Sequence, residues 1–352
     1  MDVKSTLVNV FEKADKAFEN ELPFVVYRHP ESNLVKGVFQ KNKSLFYAKN
    51  YTESGFVFAP FDNAEPAILF PLEDSTLIDS EFSENSIEGE NNAVSESNSE
   101  ISKAKHIDLV KEGIEFLHNN DFKKVVLSRK ESVRVEEFKV INTFKKLLSN
   151  YKNAFVYCWF HPKVGLWLGA TPETLLKVKG NTFSTMALAA TQVYEKNKDV
   201  QWKFKEVQEQ QYVTDFILEQ LNINVEVSKP YTIKAGNLLH LRTDISGTLT
   251  QQLPLKKIIN LLHPTPAVCG VPKQASKEFI LQSENYSRQF YTGFLGELNL
   301  NNTSNLFVNL RCMQVLKNTI EIHIGGGITK ESNPQSEWEE TVAKSKVIRK
   351  VL

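Results

Sequence analysis

The 352-residue chain predicts an α+β fold. Short apolar runs bounded by turn residues recur along most of its length, the mark of strands. Helical stretches interrupt these runs irregularly instead of alternating with them in a βαβ repeat. A third observation divides the chain: residues 79–100, "DSEFSENSIEGENNAVSESNSE", are dominated by Ser, Asn and acidic side chains and contain no Lys or Arg. Such a segment buries too little apolar surface to offset the entropy of ordering, and it predicts a mobile loop or linker. The length allows one large domain or two, and no internal repeat decides between them.

Taken in order, "MDVKSTLVNVFEKADKAFEN" reads as an amphipathic helix without the long apolar core of a signal peptide. "FVVYRH", "SLFYAK" and "GFVFAPF" then read as strands. Beyond the acidic segment, "SKAKHIDLVKEGIEFLHNN" has helical periodicity and leads into "DFKKVVLSRKESVRV", rich in β-branched residues. "AFVYCWFH", "GLWLGAT", "TLLKVKG" and "TFSTMAL" continue as strands, broken later by the helical stretches "KFKEVQEQQYVTDFILEQL" and "PLKKIINLLHP". Near the C-terminus "LFVNLRCMQVLKN" and "TIEIHIGGGIT" predict a hairpin, followed by a last helix.

Composition narrows the function. Basic and acidic residues balance at 42 each, which gives no support to a nucleic-acid or membrane-surface role. Cys158, Cys269 and Cys312 form no CxxC pair and read as reduced core residues. No apolar stretch approaches the roughly 20 residues that span a bilayer. The expectation is a soluble, cytoplasmic protein.

The chemistry concentrates near the end. Gly325, Gly326 and Gly327 follow an apolar run, where bare backbone N–H groups can approach an anion. Asn333 is a good N-cap and Pro334 suits the first helical position, so Glu337, Glu340 and Lys344 fall within about 60° of one another on the helix. Glu206 and Glu209 repeat the E-x-x-E spacing in line with apolar Val213 and Phe216. Glycines at a strand end usually serve a turn, and E-x-x-E is usually a solvated face. Two such faces meeting would instead build an all-oxygen site suited to Mg²⁺, which would reconcile carboxylates with an anion-binding glycine run. Neither GxxxxGK[ST] nor GxGxxG is present, so a phosphate loop is not indicated.

Three further residues stand out. In "KKVVLSR", alternation puts Lys124, Val126 and Ser128 on one strand face and Lys123, Val125 and Arg129 on the other. One of the two lysines can therefore point inward, where desolvation makes a usable base, or both can snorkel. Glu173 follows Pro172 between two strand runs and could serve as an acid, and Arg311 is a charge inside an apolar strand pattern whose guanidinium suits a carboxylate.

Together these stretches resemble the chorismate-utilising enzymes, the isochorismate synthases most closely. The resemblance runs from about residue 104 to 352, through "FKKVVLSRK", "GATPETLL", "TMALAAT", "KEVQEQQYV", "LLHPTPAVCGVPK", "YTGFLGEL", "VNLRCM" and "GGGITKESNPQSEWEETVAK" in the family's order. It implies one large α+β domain with a two-sheet antiparallel β core and helices packed outside. Residues 1–78 would add strands, 79–103 would hold the acidic loop and 104–352 would carry the motifs. By the same resemblance Lys124 is the base that activates water, and Glu173 is the acid that protonates the departing C4 hydroxyl of chorismate. Glu209 and Glu340 would bind Mg²⁺, with Glu206 and Glu337 in direct or water-bridged support, and the metal would hold the ring carboxylate. Tyr291, Arg311, Lys344 and the N–H groups of Gly325, Gly326 and Gly327 would hold the substrate's carboxylates. Thr191 would lie near the ring, and His263 with the following "PTPA" would shape the attack side.

The implied reaction adds water at C2 of chorismate as hydroxide leaves C4, giving isochorismate for menaquinone or siderophore synthesis. Ammonia-using relatives generally lack a lysine at the place of Lys124, and aminodeoxychorismate synthases have a lysine where this chain has Ala189. Both differences favour water. A salicylate synthase, which would also eliminate pyruvate, and a non-catalytic chorismate-binding relative are the alternatives; intact Lys124, Glu173 and the four glutamates argue against the second. Gln210, Ala190, Gly326 and Cys269 depart from the family's usual His, Gly, Ala and Gly. Balanced charge and a self-contained site are compatible with a monomer.

Overall fold

A computed structural model describes residues 9–83, 100–194, 200–235 and 238–352. Its strands form two antiparallel sheets. One runs Gly270–Val271, Lys124–Arg134, Thr319–Ile328, Cys312–Val315, Gly165–Thr171, Phe155–His161, Phe24–Arg28, Leu34–Gln40, Ser75–Glu81. The other runs Glu226–Val227, Leu238–Thr248, Thr182–Val193, Thr174–Lys179, Thr303–Val308, Phe294–Leu300, Gly55–Ala59, Ile68–Pro71, Phe46–Tyr47, and Tyr231–Ala235 also pairs with Leu238–Thr248. The described helices are α1 (Val10–Glu19), α2 (Glu100–Asn119), α3 (Val140–Asn150), α4 (Phe204–Leu221), α5 (Leu255–Leu262), α6 (Lys273–Ser283) and α7 (Pro334–Arg349). None of them is long and apolar enough to cross a membrane.

The sheets pack face to face, and the helices cover their outer sides. In Phe155–His161 the alternation is complete: Phe155, Tyr157 and Trp159 point between the sheets, while Val156, Cys158 and Phe160 point under α1 and α3. A strand buried on both faces reads as a continuous apolar run, which is why "AFVYCWFH" carries no charged or amide side chain before His161 closes it. The layer between the sheets is aromatic. Phe155 stacks on Phe307 at 4.2 Å between centroids, and Phe70 on Trp159 at 5.1 Å. Burying each such ring contributes about 2 kcal/mol, and the stacking adds direction. On the far side of the second sheet, Val213, Phe216 and Ile217 of α4 pack with Ile258 and Leu262 of α5. α2 and α6 cover the Lys124–Arg134 edge through Val110, Leu117 and Ile280.

Several expectations are corrected. The acidic loop is shorter than 79–103, because Ser75–Glu81 pairs with Leu34–Gln40 and α2 already begins at Glu100; residues 84–99 lie outside the described residues. α3 and α6 are helices that the sequence reading left unassigned. The run "LFVNLRCMQVLKN" is not one arm of a hairpin. Thr303–Val308 belongs to the second sheet and Cys312–Val315 to the first, and only the latter pairs with Thr319–Ile328. Asn309 to Arg311 cross between the sheets, with Arg311 at φ 49. Apolar residues flank the break on both sides because both flanks are buried, so Asn309 and Arg311 read as interruptions within one strand. Pro172 and Glu173 make a second crossing, from Gly165–Thr171 to Thr174–Lys179. Both crossings open onto the same cleft.

Candidate active site

The cleft holds about 800 Å³ of free space including its mouth. Its floor is the end of Thr319–Ile328, which pairs with Lys124–Arg134 so that Gly325 faces Ser128 and Gly327 faces Val126. On its other side the pairing strand Cys312–Val315 stops opposite His323, so the glycine run meets open space there instead of another strand. The glycines are needed for what approaches them. A Cβ on Gly327 would stand 2.5 Å from Glu209 Oε1 and 2.9 Å from Lys124 Cε, and one on Gly325 would stand 2.8 Å from the Tyr291 hydroxyl. Gly326 is less constrained, with Glu337 Oε2 and Glu340 Oε1 at 3.6 and 3.9 Å from its Cβ position.

Lys124 opens its strand with no exposed surface, and its Nζ lies 2.8 Å from Glu209 Oε1. Burial alone would raise the Glu209 carboxyl, but Lys124, with Lys344 and Lys205 behind it, holds it below the usual carboxylate range. Glu173 behaves in the opposite way. It is 4% exposed, and burial pushes its pKa up to about 8 against the smaller opposing pull of Lys124, Arg311 and Thr265. A carboxyl that keeps its proton at neutral pH is a proton donor. Arg311 reaches the cleft from its crossing, and Tyr291 is buried beside it, its phenol pushed well up by burial. Lys344 Nζ donates to Gly325 O at 3.0 Å and ion-pairs with Glu340 at 2.6 Å. The N-cap expectation holds: Asn333 accepts from the Ser336 N–H at 3.0 Å, which aims Glu337, Glu340 and Lys344 back toward the glycines.

Of the residues singled out from the sequence, Glu173, Thr191, Glu209, Tyr291, Arg311, Gly325, Gly326, Gly327, Glu340 and Lys344 line the cleft. Lys124 stands just behind Gly327. Three lie elsewhere. Glu337 is buried in an ion pair with Lys205 at 2.8 Å, its Oε2 near Gly326 and its carboxyl raised by burial and by the charge of Glu340. Glu206 accepts the Lys203 N–H at 2.6 Å and so caps α4; i,i+3 spacing from a helix start serves a capping box as readily as a ligand pair. His263 is buried against Pro60 O at 3.0 Å, and it is Ala267 and Val268 from the same turn that reach the wall. The sequence reading missed Lys205, His240 and His323; the last two line the cleft, and their only advance signal was a histidine within an apolar strand run.

A hard cation fits the donor chemistry. Glu209 and Glu340 present carboxylate oxygens to the cleft, and the Glu337–Glu340 repulsion marks a place where positive charge is favourable. Among the described residues no three carboxylate, imidazole or thiol groups converge on one point; each glutamate is held by a lysine, Glu209 by Lys124, Glu337 by Lys205 and Glu340 by Lys344.

Comparison with known proteins identifies the family of the chain. Residues 62–352 match the model of a family described as chorismate binding enzymes. The vibriobactin-specific isochorismate synthase of Vibrio cholerae is 28% identical over 258 residues, which cover 68% of this chain and 65% of that one. Isochorismate synthase EntC of Escherichia coli is 30% identical over 192 residues, 51% of this chain and 49% of its own. The chain thus spans between about half and two thirds of the length of these relatives. Among solved structures, one described as a putative 2,3-dihydroxybenzoate-specific isochorismate synthase, DhbC from Bacillus anthracis, superposes with a TM-score of 0.80 at 23% identity, covering 97% of this chain and 99% of that one. At that identity the likeness speaks to the fold. The family match takes in every element that builds the cleft, from Lys124 to Lys344, and on that ground the chain belongs to the chorismate-binding enzyme family.

Proposed function

We propose that the protein is an isochorismate synthase, an isomerase that interconverts chorismate and isochorismate by adding water at C2 and expelling the C4 hydroxyl. The observation that carries the reading is the contrast between two buried carboxyls on one cleft: Glu173, raised to about 8, and Glu209, held ionised beside Lys124. The raised Glu173 is assigned the acid, and the buried Lys124 that pairs with Glu209, not Glu209 itself, is assigned the base. The names of the curated relatives support the substrate.

In this reading Arg311, Tyr291 and Lys344 bind and orient the carboxylates of chorismate, and the burial of the cleft strengthens each contact. In this role Lys124 acts as the free amine: its nitrogen lone pair takes the proton of the attacking water at Nζ, and Glu209 beside it stabilises the ammonium that forms. Glu173 delivers its proton to the C4 oxygen, so the group leaves as water. A positioned acid and base each contribute roughly 10²–10⁴-fold. Glu209 and Glu340, supported by Glu337, would hold Mg²⁺, which when bound supplies a charge that fixes and polarises the ring carboxylate.

The test is product analysis by chromatography after incubation with chorismate, with and without Mg²⁺. Isochorismate appearing with the metal is the expected result. Salicylate and pyruvate would move the assignment to a salicylate synthase, and no product in either condition would overturn the enzymatic reading.

A further inference from the structure

The Arg311 guanidinium has an unusual partner. Its Nη2 lies 3.2 Å from Nε2 of His240, which stands in the strand Leu238–Thr248 on the opposite wall. The other ring nitrogen of His240, Nδ1, lies 2.8 Å from the carbonyl oxygen of Ala190, with Thr191 Oγ1 at 3.4 Å. A guanidinium can only donate, so Nε2 must accept; a carbonyl can only accept, so Nδ1 must carry the proton. The two contacts together admit one state of the ring, the neutral Nδ1–H tautomer. Burial pushes the imidazole pKa down to about 3, and the Arg311 charge adds to it, which agrees with that state.

We infer that His240 is a positioning residue that locks Arg311 to the Ala190–Thr191 bulge and leaves the arginine's charge free for a ligand carboxylate. Both ends of the link need a lock. Ala190 sits at φ 61 where the pairing with Leu238–Thr248 shifts register between Ala189 and Gln192, and Arg311 sits at φ 49 on the sheet crossing. The chemistry of the partner matters as well. Among the described residues no carboxylate ion-pairs with Arg311; Glu173 and Glu340 act on it only from farther away. An aspartate or glutamate at 240 would aim the guanidinium equally well but would neutralise it. A neutral imidazole aims it and keeps the full positive charge pointed into the cleft.

The inference rests on the proposed function only for the identity of the carboxylate ligand, and two shortened or lengthened amides separate its parts. His240→Asn keeps an N–H near the position of Nδ1 for Ala190 O but does not reach Arg311. His240→Gln reaches Arg311 with an amide oxygen. A hydrogen bond to a charged group is worth roughly tenfold in affinity or more. His240→Asn is therefore expected to raise KM for chorismate by about tenfold with a smaller change in kcat, and His240→Gln to restore KM to within about threefold. An unchanged KM in His240→Asn, or equal losses in both variants, would overturn the assignment. Independently, ¹⁵N NMR of the ligand-free wild type at pH 7 should show the Nδ1–H tautomer. An Nε2–H tautomer or an imidazolium would overturn it too. Failure of the wild type to turn over chorismate would sink the functional reading instead, and the tautomer, which needs no substrate, would still decide the histidine.

Discussion

Glu173 carries a proton that most glutamates have lost by pH 5, and two outcomes follow from its carboxyl being pushed up to about 8 by burial. As a proton donor it should give a turnover that falls as pH rises through about 8, and Glu173→Gln should lose roughly 10²–10⁴-fold in kcat while still binding chorismate. Stability moves as well. The folded chain keeps a proton that the unfolded chain gives up near 4.5, so the contribution of this one group to stability is fully present below that value and is lost as pH climbs to about 8. Relative to Glu173→Gln, the wild type should lose up to about 1.4 kcal/mol for each pH unit in that window, read by urea denaturation at several pH values. At this scale the sequence was informative where a residue's surroundings lie close in the chain. Lys124 at the head of an apolar strand and Glu173 after a proline both stood out. His240 did not, because its meaning depends on Arg311, 71 residues away. Glu206, expected in direct or water-bridged support of the metal, accepts the cap hydrogen bond of α4, and local spacing does not separate the two roles.

Among the elements, the strand Thr319–Ile328 is built to let neighbours come close, and its three glycines are not equivalent. Gly327→Ala would drive a methyl into Glu209 and Lys124, both held by burial and by each other. It should abolish turnover and cost about 1–3 kcal/mol by chemical denaturation. Gly326→Ala meets only ordinary contact distances and should leave both readouts near wild type. Equal effects of the two substitutions would contradict the geometry of the floor. The strand itself, the capped α7 after it and the amphipathic α4 were legible from period and caps. The division of "LFVNLRCMQVLKN" between two sheets was not, since its two flanks are equally apolar and the polar Asn309 and Arg311 between them do not say that the chain changes sheets.

For the whole molecule, the motif-bearing part beyond residue 104 reads as the enzyme, yet the sheets are not divided that way. Phe24–Arg28 is paired on one side with Phe155–His161 and on the other with Leu34–Gln40, and Gly55–Ala59 pairs with Phe294–Leu300. A chain beginning at residue 104 would bare one face of the aromatic layer and two interior strand edges. It should fail to give a near-ultraviolet circular dichroism spectrum or a cooperative melt; a cooperative melt would mean that the N-terminal strands are dispensable. Pairing over such sequence distances leaves no local trace, which is why the two-sheet core came from resemblance and not from periodicity. The two crossings add a mechanical consequence. Glu173 and Arg311 sit on the short tethers that carry the chain from one sheet to the other. If one sheet slides on the other, both tethers are pulled together, and the spacing between acid and guanidinium changes before any strand pairing breaks. The seating of the aromatic layer thus sets the spacing of Glu173 and Arg311 across the cleft.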